Sequence, residues 1–296
     1  MNDTDLPVNE LIEPVNRYFH NSIAAQIVNV LKITWVTPDQ VTYTSIFIGL
    51  ISAYIFSLGT PWSFFFAGIT LELVLILDCV DGQLARVKKC SSDWGRLLDG
   101  IAGYIIYLAV LGGIMIGLGK DYIVLILFGV ITILRGIAYD YCKLTFITLI
   151  EKGYDGSDKE ILNTYLKILE NKSILLKIYF YYLQVQRFIF KGYFNSLDKF
   201  STINSKIDND IVLSFEQREE FRKQVSSLMF TWSWNGVDLP IFLLVLVSVL
   251  GILENCLFPL TIFLAFQFIF TMIFHRVKIY KLNKSRVAAI TMLLFI

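Results

Sequence analysis

Three aspartates in one short segment have a spacing that could support chemistry on a charged ligand. The segment reads DCVDGQLARVKKCSSDWGRLLDGIAG and runs from residue 78 to residue 103. Asp78 and Asp81 would lie one turn apart on the same face of a helix. Two carboxylates this close repel each other, and a bound cation removes that repulsion. Because hard oxygen ligands suit Mg²⁺, Mn²⁺ or Ca²⁺, we expect a divalent-cation site here, with Asp99 brought against the pair by the next helix.

Two small residues extend the same helical face. Gly82 and Ala85 follow Asp78 at i+4 and i+7, and they leave a shallow strip where a flat ligand can approach the backbone. Arg86 and the lysine pair after it offer positive charge to such a ligand. The alternative is that these acids and bases only cap two helix ends in water. Helix caps in water would not require small residues at this spacing from the acids, so the spacing favours a ligand site.

The composition places these residues in a membrane protein. The chain has 296 residues, of which 55% are apolar and only 17% are charged, whereas soluble domains average roughly 25% charged residues. A water-soluble globular protein and a disordered chain are therefore both excluded. The formal net charge is +1, so no global field favours a nucleic-acid partner. The four cysteines form no CxxC pair, which indicates small buried side chains and no disulfide framework.

Six stretches are apolar and long enough to span a bilayer, which requires about 20 residues. They are Val41–Leu58, Trp62–Leu77, Gly95–Leu118, Tyr122–Ile150, Trp234–Leu253 and Leu257–Ile279. Very short connections at Gly59–Pro61, Gly119–Asp121 and Glu254–Cys256 predict antiparallel hairpins. Thr37 is the expected N-cap of the first span, and Pro38 is its first residue. The sequence therefore predicts an all-α integral membrane protein with six transmembrane helices.

The basic residues set the expected orientation. Of the 26 Lys and Arg residues, only Lys120 lies in one of the three short hairpin connections. The positive-inside rule then puts both termini on the cytoplasmic side, together with the acidic segment between the second and third spans. We therefore expect a multi-pass protein whose active site faces the cytoplasm.

The chain divides into five expected segments. These are an N-terminal interfacial helix at 1–38, spans one to four at 39–150, a cytoplasmic or interfacial insertion at 151–231, spans five and six at 232–280, and a tail at 281–296. Within the insertion, Lys172–Phe194 interleaves basic and aromatic residues, which is typical of a helix at a membrane interface. A further helix is predicted from Phe215 to Met229. Binding of single-stranded nucleic acid by the basic and aromatic residues is not favoured in a membrane chain.

The fourth span carries three charged residues within ITILRGIAYDYCKL. They are Arg135, Asp140 and Lys143. Charges inside a span usually face the bundle interior and mark functional sites. The structural alternative is an internal pair between the arginine and Asp140 or Glu72, with the lysine reaching the interface. His20 and His275 have no partners at ligand spacing, so neither is assigned a role.

The acidic segment resembles the signature of the CDP-alcohol phosphatidyltransferase family, D-x2-D-G-x2-A-R-x8-G-x3-D-x3-D. The residues in register are Asp78, Asp81, Gly82, Ala85, Arg86, Gly95 and Asp99. The family also has six spans, an N-terminal interfacial helix and a TPN-like opening of the first span, which is echoed here by Thr37-Pro38-Asp39 and Thr42. The resemblance covers the membrane core and not residues 151–231, a connection that is longer than usual in the family.

The resemblance implies a membrane transferase of phospholipid or related biosynthesis. Such enzymes use a CDP-linked donor, often CDP-diacylglycerol; an acceptor hydroxyl attacks the β-phosphorus and CMP leaves. Divalent metal, Mg²⁺ or Mn²⁺, bridges the diphosphate. The implied metal ligands are Asp78, Asp81 and Asp99. The implied donor-binding residues are Gly82 and Ala85, which admit the cytidine, Arg86, which orients the carboxylates or the nucleotide, and Gly95, which allows close helix packing.

The resemblance also bears on the acceptor. Arg135 and Lys143 are similar to the basic pair with which some members hold a phosphorylated acceptor, since eight residues place them roughly on one helical face. The implied partners are a CDP-linked donor, an acceptor alcohol or phosphorylated alcohol, the lipid bilayer, and a second copy of the chain in a homodimer. Neither the acceptor nor the choice between a lipid and a small CDP-donor follows from the sequence.

Gly103 departs from the family pattern, which has a fourth aspartate there. That aspartate is thought to ligate metal and to take the proton from the acceptor. Its substitute is open: a water or hydroxide held by the metal, Asp140 as a further catalytic residue, or an acceptor already ionised at neutral pH. Two other functions are considered: a catalytically weak relative that binds CDP-donor or lipid, and a transporter or channel, which the lack of repeated halves disfavours.

Overall fold

Two Thr-Pro pairs begin the first two long helices in the computed structural model of the chain. The Thr37 side chain accepts a hydrogen bond from the Gln40 N–H at 3.3 Å, and Gln40 Oε1 accepts one from the Thr37 N–H at 3.0 Å. Thr60 and Ser63 form the same capping box at the next helix. These boxes satisfy backbone donors that a helix start leaves unpaired. The first of the two helices begins at Pro38, as predicted, and the second begins at Pro61, which the sequence placed in the connection before the span.

The structure describes residues 10–90, 93–119, 122–171, 173–192 and 213–284, and every regular element in these ranges is helical. A π-helical turn at Asn16–His20 leads into the first helix. The helices are α1 (Asn21–Leu31), α2 (Pro38–Ser57), α3 (Pro61–Val87), α4 (Asp93–Leu118), α5 (Tyr122–Lys152), α6 (Gly156–Asn171), α7 (Ile174–Lys191), α8 (Phe215–Ser233), α9 (Asp238–Val249) and α10 (Leu253–Lys284). The predicted helix from Phe215 is confirmed as α8.

The lengths and apolar character of these helices fit an all-α membrane protein, as predicted. Among the described residues, five segments are long and apolar enough to cross a membrane, and a shorter apolar one lies in α4. They are Pro38–Ser57, Pro61–Val87, Tyr122–Lys152, Phe215–Val249, Leu253–Lys281 and the shorter Ala102–Leu118. The predicted last hairpin connection, Glu254–Cys256, is wrong, because those residues lie inside α10. The turn is at Gly251, whose φ of 70° is a left-handed conformation that favours glycine and ends the preceding helix.

The described chain forms two compact units. The motif unit comprises Glu13–Ile133 and Val237–Phe266. Inside it, α2 packs against α3 and α4, and α3 also packs against α1 and α9. The α2 and α4 backbones are in direct contact, because a Cβ added at Gly113 would lie 2.1 Å from the Ala53 carbonyl oxygen. Small residues of this kind are what close helix packing in a membrane requires.

The insertion unit comprises Leu134–Gly236 with residues from both ends of the chain. Its largest apolar cluster joins the second half of α5 to α8 and the end of α10, around the fully buried Trp232. The indole N–H of Trp232 donates to His275 Nδ1 at 2.8 Å. A second, smaller cluster lies between α6 and α7. The insertion unit is therefore a packed helical structure that includes parts of α5 and α10.

Candidate active site

Helix α3 carries the first half of the acidic signature without interruption. Because the helix continues to Val87, Asp78, Asp81 and Ala85 lie on one face, as predicted. Asp78 is exposed and Asp81 is buried. A buried carboxylate is costly unless it is hydrogen-bonded or paired with a cation. Asp81 therefore requires specific partners, and the helix next to it supplies one.

Thr42 on α2 holds the Asp81 carboxylate. Its hydroxyl donates to Asp81 Oδ2 at 2.7 Å. The Thr42 hydroxyl oxygen also lies 3.3 Å from the Pro38 carbonyl oxygen. This bond links the opening of α2 to the acidic face of α3 and fixes the direction of the carboxylate. Where an oriented carboxylate binds a metal, the group that orients it typically changes metal affinity or activity by about 10–100-fold.

The strip of small residues is open where the structure describes it. A Cβ added at Gly82 would meet Arg86 Nη1 at 3.8 Å and no other described atom within 4 Å. Ala85 is half-buried, and Arg86 is exposed. The arginine head group thus lies above the glycine, where a ligand on the strip would contact it.

The side chain of Lys88, one of the predicted sources of positive charge, binds backbone carbonyl oxygens. Lys88 Nζ donates to the carbonyl oxygens of Thr34 and Val36, both at 2.7 Å. The lysine therefore ties the end of α3 to the chain that precedes α2. Its neighbour Lys89 is exposed and has a φ of 52°, so the two lysines have different surroundings.

The second half of the signature lies at the start of α4. The backbone of Gly95 and Asp99 is helical, but the side chain of Asp99 lies outside the described residues. Among the side chains that the structure does describe, no three His, Cys, Asp or Glu are grouped to hold a metal. The two described carboxylates, one turn apart and oxygen-only, fit one side of a hard divalent cation.

A polar chain that the sequence analysis missed lies in the same unit. Asn16 Nδ2 donates to an Asp238 carboxylate oxygen, which leaves Asn16 Oδ1 facing His20 Nδ1 at 2.8 Å. His20 Nε2 lies 2.9 Å from Glu72 Oε1. Because an amide oxygen only accepts, the contact with Asn16 Oδ1 calls for the tautomer with a proton on Nδ1. The backbone N–H of Asp238 also donates to Glu13 Oε2 at 3.1 Å.

This polar chain attaches the N-terminal segment and the start of α9 to the helix that carries the motif. An acid inside a span, such as Glu72, is a sequence signal that a partner exists. The signal does not identify the partner, because His20 is 52 positions away in the chain. In the structure the partner of Glu72 is His20, a residue to which the sequence assigned no role.

The predicted acceptor residues lie in the insertion unit. Arg135 is fully buried, and it donates to Gln267 Oε1 at 2.9 Å and to the Trp234 carbonyl oxygen at 2.7 Å. Asp140 accepts a hydrogen bond from the Tyr182 hydroxyl. Lys143 Nζ lies 5.4 Å from the ring centroid of Tyr139. Acceptor binding by Arg135 and Lys143 therefore stays a prediction, and for the arginine it requires an exchange of these partners.

Comparison with known proteins gives two findings. Residues 35–185, just over half of the chain, match the sequence model of the CDP-alcohol phosphatidyltransferase family. The match continues into the insertion as far as residue 185, beyond the membrane core to which the sequence analysis confined the resemblance. A bifunctional IPC transferase and DIPP synthase from Thermococcus kodakarensis is 34% identical over 87 residues.

That alignment covers 29% of this chain and 19% of the Thermococcus protein, so the matched stretch is about a fifth of the relative's length. The family match is broader, and it contains all seven residues of the signature. On that match, the chain belongs to the CDP-alcohol phosphatidyltransferase family.

Proposed function

We propose that this chain transfers a substituted phosphate group from a CDP-linked donor to an acceptor and releases CMP. An acceptor oxygen forms a bond to the β-phosphorus, and the bond from that phosphorus to the bridging oxygen breaks. CMP leaves with the bridging oxygen, and the acceptor proton passes to a base or to solvent. The observation that carries the proposal is the seven-residue signature inside the segment that matches the family.

In this proposal Asp78, Asp81 and Asp99 hold Mg²⁺ or Mn²⁺. The bound metal would neutralise the charge that develops on the diphosphate. The protein's own part is to aim the carboxylates, which Thr42 does for Asp81 through the 2.7 Å hydrogen bond. Replacing the aspartates singly by asparagine should abolish metal-dependent donor binding, measured by calorimetry on the full chain in detergent. Glu216→Gln, an exposed acid in the first turn of α8, is the control.

Gly82 and Ala85 would accommodate the cytidine, with Arg86 contacting the nucleotide and Gly95 allowing the two helices to approach. The open space at Gly82 supports this assignment, because a flat ring there would meet only the arginine head group among described atoms. Gly82→Leu should keep the helix, since Leu is a good helix former, but it should block donor binding. Gly112→Leu, at a helical glycine where an added Cβ also meets no described atom within 4 Å, should bind donor normally.

The proton acceptor is the unassigned part of the reaction. Gly103 has no side chain and cannot act as a base. General-base assistance is typically worth about 10²–10⁴-fold in rate, so we expect the loss of that assistance to slow turnover while the other aspartates still bind metal and donor. We propose Asp140 or an acceptor that is already ionised, held by Arg135 and Lys143, as the substitute. Activity of Asp140→Asn as a function of pH separates these two possibilities. Only a catalytic Asp140 makes the variant slow with every acceptor.

The donor is CDP-diacylglycerol or another CDP-alcohol, and the acceptor is an alcohol or a phosphorylated alcohol. A second function, a relative that binds CDP-donor without transferring it, is favoured by Gly103 alone. The two functions differ in one readout, because a binding protein would take up donor and metal but release no CMP with any acceptor.

A further inference from the structure

Helix α7 has its polarity reversed relative to a helix that lies in water. Five of its large apolar side chains are between 38% and 73% exposed. They are Ile174, Ile178, Tyr181, Val185 and Phe188. Their spacing places them in one continuous stripe along one face, which we call the outer stripe. Lys177 is the single charged residue on that side of the helix within its described length.

The polar side chains of α7 face the protein instead. Gln186 Nε2 donates to the Ile137 carbonyl oxygen of α5 at 3.3 Å. Arg187 pairs with Asp158 at 3.2 Å, and each of the two cations, Arg187 and Lys191, has only 5% of its side chain exposed. Acids that precede α7 in the chain bind both cations inside the unit, and the position of this helix at a membrane interface stays a prediction.

The ion pairs around Lys191 are strong enough to keep it charged. Lys191 Nζ lies 3.0 Å from Asp155 and 3.2 Å from Asp158. Burial alone lowers the pKa of Lys191, but Asp155, Tyr141 and Asp158 together outweigh burial and raise that pKa above its ordinary value. The inward face of α7 thus carries these polar and charged side chains beside the apolar cluster that it shares with α6.

The contacts of α7 with α5 indicate its depth in the membrane. The Tyr182 hydroxyl donates to Asp140, and the Phe190 ring stacks on Tyr141 with centroids 4.4 Å apart. Ile137 and Tyr141 follow the start of α5 by 15 and 19 residues, about 22–28 Å along a helix axis. The hydrocarbon core is about 30 Å thick. If Tyr122 lies at the opposite boundary of that core, as the short connection before it predicts, these contacts fall just inside the nearer boundary.

We propose that α7 is embedded in one leaflet of the bilayer, with the outer stripe against lipid acyl chains. Polar side chains turned inward and apolar ones turned outward are what a low-dielectric surrounding requires. The outer stripe carries no acid, and Lys177 can extend its amine to the headgroups. The helix that carries the stripe also packs against α5, whose length and apolar character fit a membrane span. This inference does not depend on the proposed reaction.

Single-cysteine variants of the full chain in lipid nanodiscs test the proposal. Cys90 and Cys256 are first replaced by serine, whereas the other two cysteines are buried and stay. Tyr181→Cys and Phe188→Cys probe the outer stripe. Lys223→Cys, on the exposed polar face of α8, is the water-facing control. Ile269→Cys, exposed on the apolar α10, is the lipid-facing control.

We expect both stripe cysteines to lose reaction with a charged maleimide, as Ile269→Cys does, and to react fully after denaturation in SDS. Spin labels at the same positions should collide more often with oxygen than with a water-soluble nickel chelate. Labelling as fast as that of Lys223→Cys would overturn the proposal, because the stripe would then face water. Protection from both oxygen and the chelate would also overturn it, because a protein would then cover the stripe.

Discussion

The hydrogen bond from Thr42 fixes the orientation of the buried Asp81 carboxylate. Sequence spacing predicted that Asp78, Asp81, Gly82 and Ala85 share a helical face, and the continuous helix α3 confirms it. The spacing did not predict the partner of Asp81, because Thr42 is 39 positions away and only the family resemblance drew attention to it. The contact between His20 and Glu72 was missed for the same reason, since local periodicity carries no information about distant contacts.

Thr42→Val should weaken the site while leaving the fold intact. Valine has nearly the same shape but cannot donate to Asp81, so the carboxylate loses its fixed direction. Loss of such an orienting group typically costs about 10–100-fold in metal affinity or activity. The measurement is metal-dependent donor binding, followed by CMP release.

The matched control for this change is Thr44→Val on the same helix. Thr44 is exposed, and its hydroxyl donates to the Gln40 carbonyl oxygen, so its removal should have little effect. Thr42→Ser should restore most of the binding. Equal metal-dependent donor binding by Thr42→Val and Thr44→Val would mean that Thr42 does not orient Asp81.

Among the elements, the helix starts were the most predictable and the insertion the least. A Thr-Pro pair is a local signal of a helix start, and the prediction made from Thr37-Pro38 is confirmed. Thr60-Pro61 begins a helix in the same way, one residue before the predicted span. The reversed polarity of α7 was not predictable, because Asp155 and Asp158, which bind its cations, lie more than 25 positions before those cations. A basic and aromatic pattern alone could not distinguish cations that face lipid from cations that face the protein.

Gly113→Ala should destabilise the crossing of α2 and α4. The added Cβ would lie 2.1 Å from the Ala53 carbonyl oxygen, so the two backbones must separate. Overpacking of this kind typically costs about 1–3 kcal/mol. Thermal unfolding of the purified protein in detergent measures the loss.

Gly112→Ala is the control on the neighbouring position of the same helix. A Cβ there meets no described atom within 4 Å, and alanine is favoured over glycine in a helix by up to about 1 kcal/mol. The variant should unfold at the same temperature as the wild type or at a higher one. If both variants unfold alike, α2 and α4 do not approach as closely as described.

Lys191→Met should destabilise the insertion unit. It leaves the Asp155 carboxylate, with only 5% of its side chain exposed, without its cation. Breaking a buried pair from one side typically costs about 3–5 kcal/mol. Hydrogen exchange should report faster exchange in α6 and α7.

Lys223→Met is the control, because it removes a lysine from an exposed position on α8. Surface changes of this kind usually stay within about 0.5 kcal/mol. Unchanged exchange in Lys191→Met would show that the buried pair contributes nothing to the stability of the insertion unit.

For the whole molecule, composition and the signature predicted an all-α membrane protein of a known transferase family, and both predictions are confirmed. Composition suffices for the fold class because a bilayer allows few architectures. The signature suffices for the family because seven residues in register rarely arise together. The acceptor could not be predicted, because its binding groups are not part of the signature and depend on contacts between distant segments.

The most direct test of the proposed function is CMP release by the purified full chain from CDP-diacylglycerol and from a small CDP-alcohol. A broad set of alcohol and phosphorylated acceptors is offered with Mg²⁺ or Mn²⁺ and, separately, with a chelator. We predict metal-dependent release with at least one acceptor, and loss of that release in Asp81→Asn. Gly103→Asp is run in parallel, because an added Cβ there meets no described atom within 4 Å. If donor and metal bind but no acceptor yields CMP, and Gly103→Asp creates that release, the native chain is a binding relative and not an enzyme.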